Sequence, residues 1–366
     1  MKTKIYLTAG VLLFAFLSGV VNGQQVTINS NDSGIPDAGG FYYTHWSATD
    51  GQSDNDVTFT LFGNRRFRYE WTNINNFVGG RGWQTGNKNR AIGYNAGQFD
   101  VNGTGNAYLG VYGWTESRLV EYYVIDSWNG DRPPVSGENT QSWGTFEIPS
   151  EGTYEVFSDI RTKKPSIAGD STTFVQFWSV RTEKRPQGFN HSIHFGSHVE
   201  AWRQVGLRLG SAMDYQVMGV EGFNSTGQAD VTPWSYGNPG IRSNTNFSGL
   251  DTSGGGAKTI IVRARSRGGN GPGAQIRLEI NNDVKKTWDL DNTYHNYLWV
   301  GKGSGGSLIR YLNDTNGKDV QVAYIRVNSE PVRRGSDQTM NAALCGGTGQ
   351  SDMMYCNGYI GFGNVQ

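Results

Sequence analysis

The stretch VTFTLFGNRRFRYEW, residues 57–71, decides the fold. Val57, Phe59 and Leu61 alternate with threonines, Gly63-Asn64 marks a turn, and Phe67, Tyr69 and Trp71 alternate with charged residues. Successive side chains of a strand point to opposite faces, so this pattern predicts a β-hairpin with one buried face. The same texture recurs outward from it, at Ala107–Tyr112, Leu119–Ile125, Gly152–Ile160 and Thr172–Arg181. One segment departs. In SHVEAWRQV, residues 197–205, Val199, Trp202 and Val205 fall at helical spacing, and Ser197 with Glu200 reads as a capping box, which predicts a single short helix.

Composition agrees with an all-β chain. The 52 glycines among 366 residues are about twice the average share. With 11 Trp, 18 Tyr and only 17% charged residues, the chain suits short strands, tight turns and aromatic faces left for a ligand. Its length allows two ordinary domains. A formal net charge of zero gives no reason to expect nucleic acid or a membrane surface as partner. It suits an uncharged polymer such as a polysaccharide.

Residues 1–23 place Lys2 and Lys4 before an apolar run and small residues, a signal-peptide layout that predicts secretion. Cys345 and Cys356 are the only cysteines, and in an exported chain they most simply form one local disulfide. Polar, glycine-rich composition at 235–257 reads as a linker between a domain at 24–234 and a second at 258–366. In the second, alternation resumes at Ile260, Val262, Ala264, at Ile276, Leu278, Ile280 and at Val320, Val322, Tyr324, which predicts a small β-sandwich. There is no GxSxG, HExxH or P-loop, and the five histidines show no metal-binding spacing.

Two carboxylates stand in otherwise apolar or aromatic strands, Glu121 in RLVEYYVID and Glu221 in YQVMGVEGF. Hydrolysis of a glycosidic bond requires such a pair, one group to attack or activate water and one to protonate the leaving oxygen. A surface-facing glutamate is the plainer reading of each, and spacing alone does not bring them together.

The ordered stretches NFVGGRGWQTG, YNAG, YLGVYGWTESRLVEYYVIDSW, PSIAGDSTTFVQFWSVR, HVEAW and YQVMGVEGF resemble glycoside hydrolase family 11, the small jelly-roll endo-β-1,4-xylanases. The resemblance implies a jelly-roll β-sandwich with one helix and a thumb loop. It implies xylan as substrate, no cofactor for catalysis, and a retaining mechanism with Glu121 as nucleophile and Glu221 as acid/base. It also implies a substrate cleft holding Tyr108, Tyr112, Tyr123, Tyr215, Arg161 and Gln176, a thumb tip at Pro165-Ser166-Ile167, and a stacking Trp46. Asn76 matches the position beside the acid/base, where asparagine accompanies near-neutral pH optima in this family. The segment SATDGQSDND after Trp46, Phe223 in place of the commoner tyrosine, and Glu116 depart from the family pattern.

Farther on, TIIVRARS, IRLEINN, TWDL, LNDTNGKDVQVAYIRVN and CGGTGQSDMMYCNGYIGFG resemble carbohydrate-binding module family 60, which implies a calcium ion (Ca2+) bridging protein and sugar. Asp314, Asp319 and Asp352 lie in loops able to supply oxygen ligands, although Asn-Asp-Thr-Asn-Gly is also simply a turn sequence. The expectation is a secreted monomeric xylanase with a tethered sugar-binding module. Two other readings stay open on residues alone: a lectin-like binder that has lost activity, and an enzyme of this architecture acting on β-glucans.

Overall fold

The computed structural model describes residues 25–35, 41–48, 57–134, 140–268, 273–314, 317–328, 330–342 and 347–366. The expected leader at 1–23, most of SATDGQSDND and Cys345 lie outside the described residues. Among the described residues no helix is long and apolar enough to cross a membrane.

The first domain is built from β1 (Val26–Ile28), β2 (Asp32–Gly34), β3 (Tyr42–Ser47), β4 (Val57–Leu61), β5 (Phe67–Trp83), β6 (Ala91–Val101), β7 (Asn106–Thr115), β8 (Val120–Asn129), β9 (Gln141–Ile148), β10 (Gly152–Ser166), β11 (Gly169–Arg181), β12 (Asn190–His194), α1 (Phe195–Gln204) and β13 (Met213–Ser235). The expected hairpin is β4–β5, where Phe62 N–H donates to the Arg66 carbonyl at 2.9 Å and Arg65 takes the positive φ of 71°.

Two strands are long enough to serve both layers of the sandwich. The first half of β5 pairs with β4 and its second half with β3, while β13 pairs with β7 early and with β6 late. Both bend at matching places, Asn73 (φ 49°) and Asn224 (φ 46°), next to a register shift between Ser225 and Gly227. One layer thus runs β2-β3-β5-β13-β7-β8-β11-β10-β9, and the other β1-β4-β5-β13-β6-β12. Phe59, Phe67, Tyr69, Phe77 and Phe99 fill the space between them. A second aromatic cluster, including Tyr108, Tyr112, Tyr123 and Trp178, lines the far face of the longer layer.

The helix forms where its apolar spacing predicts, with Trp202 and Val205 fully buried and Val199 partly so. Burying a side chain the size of Trp202 contributes about 3 kcal/mol. The capping-box expectation is corrected. The helix starts at Phe195 with His194 as N-cap, so Ser197 is already its third residue. Ser197 Oγ instead accepts the Arg242 N–H at 2.9 Å, and Glu200 binds Arg203 and Gln204.

The expected second sandwich is present. A sheet led by Ala257–Arg267, His295–Lys302 and Asp319–Val327 faces one led by Gln275–Ile280, Gly305–Tyr311 and Gly358–Val365, around Ile260, Val262, Ile276, Leu278 and Val322. The alternation ending at Tyr324 is interrupted. A bulge opposite Arg263–Ala264 shifts the phase, and Ile325 and Val327 take the buried face instead.

The segment 235–257 joins the two units but is laid down on the first. Asn246 and Leu250 bridge to Glu147 and Gly144 of β9, the last strand of the layer, and Phe247 stacks on Phe146. This covers an edge that would otherwise offer unpaired backbone groups.

Candidate active site

Strand alternation on β7 puts Tyr108, Gly110, Tyr112 and Trp114 on one face of the longer layer. β13 lies on one side of β7 and β8 on the other. Glu221 of β13 stands opposite Tyr108, and Glu121 of β8 stands opposite Trp114, so both carboxylates share that face. The register therefore brings together two glutamates a hundred residues apart in sequence.

Their surroundings differ. Glu121 is 6% exposed and fully engaged. Its Oε1 accepts from the Tyr112 hydroxyl at 2.8 Å and the Tyr123 hydroxyl at 3.1 Å, and its Oε2 accepts from Gln176 Nε2 at 2.6 Å. Burial pushes this carboxyl up, while the three donors and the charge of Arg161 pull it back toward ionisation. Glu221 has weaker support. Its Oε2 has no hydrogen-bond partner among the described residues. Burial, and next the charge of Glu121, push its carboxyl up to about 8, against opposing pulls from Arg161, Tyr123 and Asn76. Near neutral pH the geometry thus favours one ionised and one protonated carboxyl.

The other expected cleft residues fall around this pair. Tyr108, Tyr112, Tyr123 and Gln176 are buried on the same face, and Tyr215 packs 5.9 Å from both the Tyr112 and Tyr42 rings. Trp46, partly buried against the aromatic cluster, belongs to a rung that crosses the sheet as Trp46, Val78, Glu221 and Tyr108. Asn76 is opposite Phe223, one alternate position beyond Glu221, and its side chain is among the groups that pull the Glu221 carboxyl down. Phe223 is 39% exposed. Pro165, Ser166 and Ile167 form the tip of the β10–β11 hairpin, which closes at the Ser166–Gly169 pair, and the apolar Ile167 is 37% exposed there.

Three participants escaped the sequence reading. Trp114 Nε1 donates to the Tyr112 hydroxyl at 2.8 Å, which in turn donates to Glu121. Trp178 stacks on Tyr123 with ring centroids 3.8 Å apart and planes 4° apart. Tyr42 reaches the site through Tyr215. Period two would have found the first two, since Trp114 and Trp178 lie two residues beyond Tyr112 and Gln176.

In the second domain the three expected metal ligands are not gathered into a cluster. Among the described residues no three His, Cys, Asp or Glu side chains come together as a metal site. Burial and the neighbouring Asp314 push the Asp319 carboxyl up, against the charge of Arg267. Asp314 N–H donates to Asn357 Oδ1 at 2.8 Å, and Asp352 Oδ2 accepts from Gln321 at 2.8 Å. The donor chemistry, all hard oxygen, fits calcium, and a cation would relieve the Asp314–Asp319 repulsion.

Among known proteins, the family described as Glycosyl hydrolases family 11 matches residues 38–232. Over 373 residues the chain is 39% identical to the endo-1,4-beta-xylanase Xyn11B of Cellvibrio japonicus, which covers 100% of this chain and 99% of that protein. It is 38% identical over 377 residues to a bifunctional xylanase/xylan deacetylase of the same organism, covering 96% of this chain and 52% of the relative. Endo-1,4-beta-xylanase 3 of Pyricularia oryzae is 45% identical over 194 residues, covering 53% of this chain and 76% of its own length.

Proposed function

The chain belongs to the family 11 glycosyl hydrolases and is a retaining endo-1,4-β-xylanase that hydrolyses xylan, and from that premise we propose that Glu121 is its nucleophile and Glu221 its acid/base. The observation that carries the assignment is the unequal wiring of the two carboxyls. Three donors on Glu121 favour a carboxylate, whereas Glu221 keeps a proton and an open oxygen.

In the first step a Glu121 oxygen bonds to the anomeric carbon, the glycosidic C–O bond breaks, and the leaving oxygen takes the Glu221 proton. Esterified Glu121 carries no charge, so the repulsion that raised Glu221 disappears and Glu221 becomes a competent base. It then takes a proton from water, whose oxygen attacks the anomeric carbon and frees Glu121. Tyr112, Tyr123 and Gln176 hold the nucleophile, and Arg161 supplies positive charge to both carboxyls. Trp46 offers a stacking surface for a pyranose ring. Tyr108, Tyr215 and the tip at Pro165, Ser166 and Ile167 enclose the substrate.

The test is reducing-sugar release from xylan by Glu121→Gln and Glu221→Gln beside the wild type, with unchanged thermal melts as the fold control. Each variant should lose about a thousandfold or more in rate. Wild-type rates in either would remove that glutamate from its role.

The reading extends to the rest of the chain. Residues 1–23 act as a signal peptide and the mature protein is a secreted monomer. Residues 258–366 bind xylan or a related cell-wall polysaccharide, with a disulfide between Cys345 and Cys356 bracing the loop of Asp352. Calcium drawing Asp314, Asp319 and Asp352 together would supply a charged anchor for sugar hydroxyls. Full-length similarity to a xylanase of nearly equal length, and the oxygen-only donor set, support this.

A further inference from the structure

The strand His295–Lys302 of the second sandwich serves two cores. Trp299 is buried with the sandwich residues, whereas Leu298 and Val300 on either side of it are buried in the core of the catalytic domain. The strand lies against β10 and β11, which run on into the thumb hairpin. On β11, Gln176 and Trp178 face the cleft, and Val175 and Phe177 belong to the same buried core as Leu298 and Val300. The docked strand therefore sits behind the thumb, on the side away from substrate.

Its two ends mark out how far it reaches. Lys302 pairs with Asp251 and lies 5.7 Å over the Trp143 ring, whose Nε1 donates to Ser158 Oγ of β10 at 2.9 Å. At the other end Asp291 is held by His295 at 2.9 Å and by the Thr293 hydroxyl at 2.8 Å, and it feels the positive charge of Lys163. Lys163 has a φ of 52° and falls inside the first of two register shifts, Arg161–Lys164, that separate the thumb tip from the regular ladder. The strand thus lies along β10, anchored near Ser158 at one end, with its other end within electrostatic range of Lys163.

We propose that the second sandwich is a positioning element of the active site, whose strand His295–Lys302 braces the thumb from behind and sets how firmly its tip closes on substrate. A hairpin joined to the sheet through an irregular ladder has conformations to lose on closing, and a brace removes part of that loss before substrate arrives. Leu298 and Val300 are positioning residues here and touch no substrate. The proposal rests on the reading of 161–169 as the loop that covers substrate.

The test uses full-length protein and xylohexaose, a soluble substrate, with Leu298→Ala/Val300→Ala, the surface variant Lys302→Ala, and Ile167→Ser as a thumb control. The double variant should raise KM by about three- to tenfold with kcat within about twofold, since preorganisation acts on binding. Amide hydrogen exchange should speed up at 161–169, and Lys302→Ala should move both readouts the same way by less. If the double variant does not fold, Lys302→Ala with Asp251→Ala decides by the same readouts. Unchanged KM and unchanged thumb exchange, with exchange raised at 246–257 to show undocking, would overturn the brace. A raised KM in Ile167→Ser would then leave the thumb reading standing, and an unchanged one would sink both.

Discussion

At the scale of residues, chemistry at this site depends on how two like carboxyls are treated differently. Gln176 is the clearest lever. Its amide donates to Glu121 Oε2 at 2.6 Å, a bond that favours the charged form. Removing it in Gln176→Ala makes Glu121 harder to ionise, so its pKa rises. As the proposed nucleophile, Glu121 must be ionised to attack, and activity should therefore be lost sooner as pH falls. The acid limb of the kcat/KM profile should move up by about one to two units, since a hydrogen bond to a charged group contributes about 1.5–3 kcal/mol. The basic limb, assigned to Glu221 as the proposed acid with its carboxyl pushed up to about 8, should move little. An acid limb that stays in place would show that Gln176 does not tune the nucleophile.

At the scale of elements, β7 is the strand on which the site hangs. It carries Tyr108 opposite Glu221 and Trp114 opposite Glu121, with Gly110 between. A Cβ at Gly110 would lie 2.0 Å from the Val124 carbonyl oxygen and 2.9 Å from the Ile125 Cα, both backbone atoms of β8 that cannot swing aside. Gly110→Ala therefore forces β7 and β8 apart and should cost about 1–3 kcal/mol in denaturant unfolding. It should also lower kcat/KM, because Tyr112 and Tyr123 would no longer meet Glu121 squarely. A variant as stable as the wild type would show that the bulge at Leu109–Gly110 absorbs the extra methyl.

For the whole molecule, two sandwiches share a strand face and a laid-down connection rather than swinging on a tether. A second sugar contact on the same chain, as proposed for residues 258–366, would raise the enzyme's local concentration on an insoluble polymer. If calcium organises that contact through Asp319 and its neighbours, retention of the Glu121→Gln protein on insoluble xylan should fall on adding EDTA and return with calcium. Asp319→Asn should match the EDTA result without chelator. Retention indifferent to both would retire the metal and leave Asn-Asp-Thr-Asn-Gly as a turn.

Much of this was legible in the chain itself. Period two at Val57–Trp71 announced the β class, helical spacing at Val199, Trp202 and Val205 announced the one helix, and the motifs around Glu121 and Glu221 announced the family. These signals are local, carried by side chains two to four residues apart whose faces the backbone geometry dictates. Tertiary structure alone decided that Ser197 lies inside its helix and that Ile325 rather than Tyr324 faces the second core. It alone laid 246–250 along β9 and set Leu298 and Val300 in the buried core beneath β10 and β11. Each of these depends on register or docking between strands far apart in sequence, and a bulge of one residue reverses which face a side chain takes.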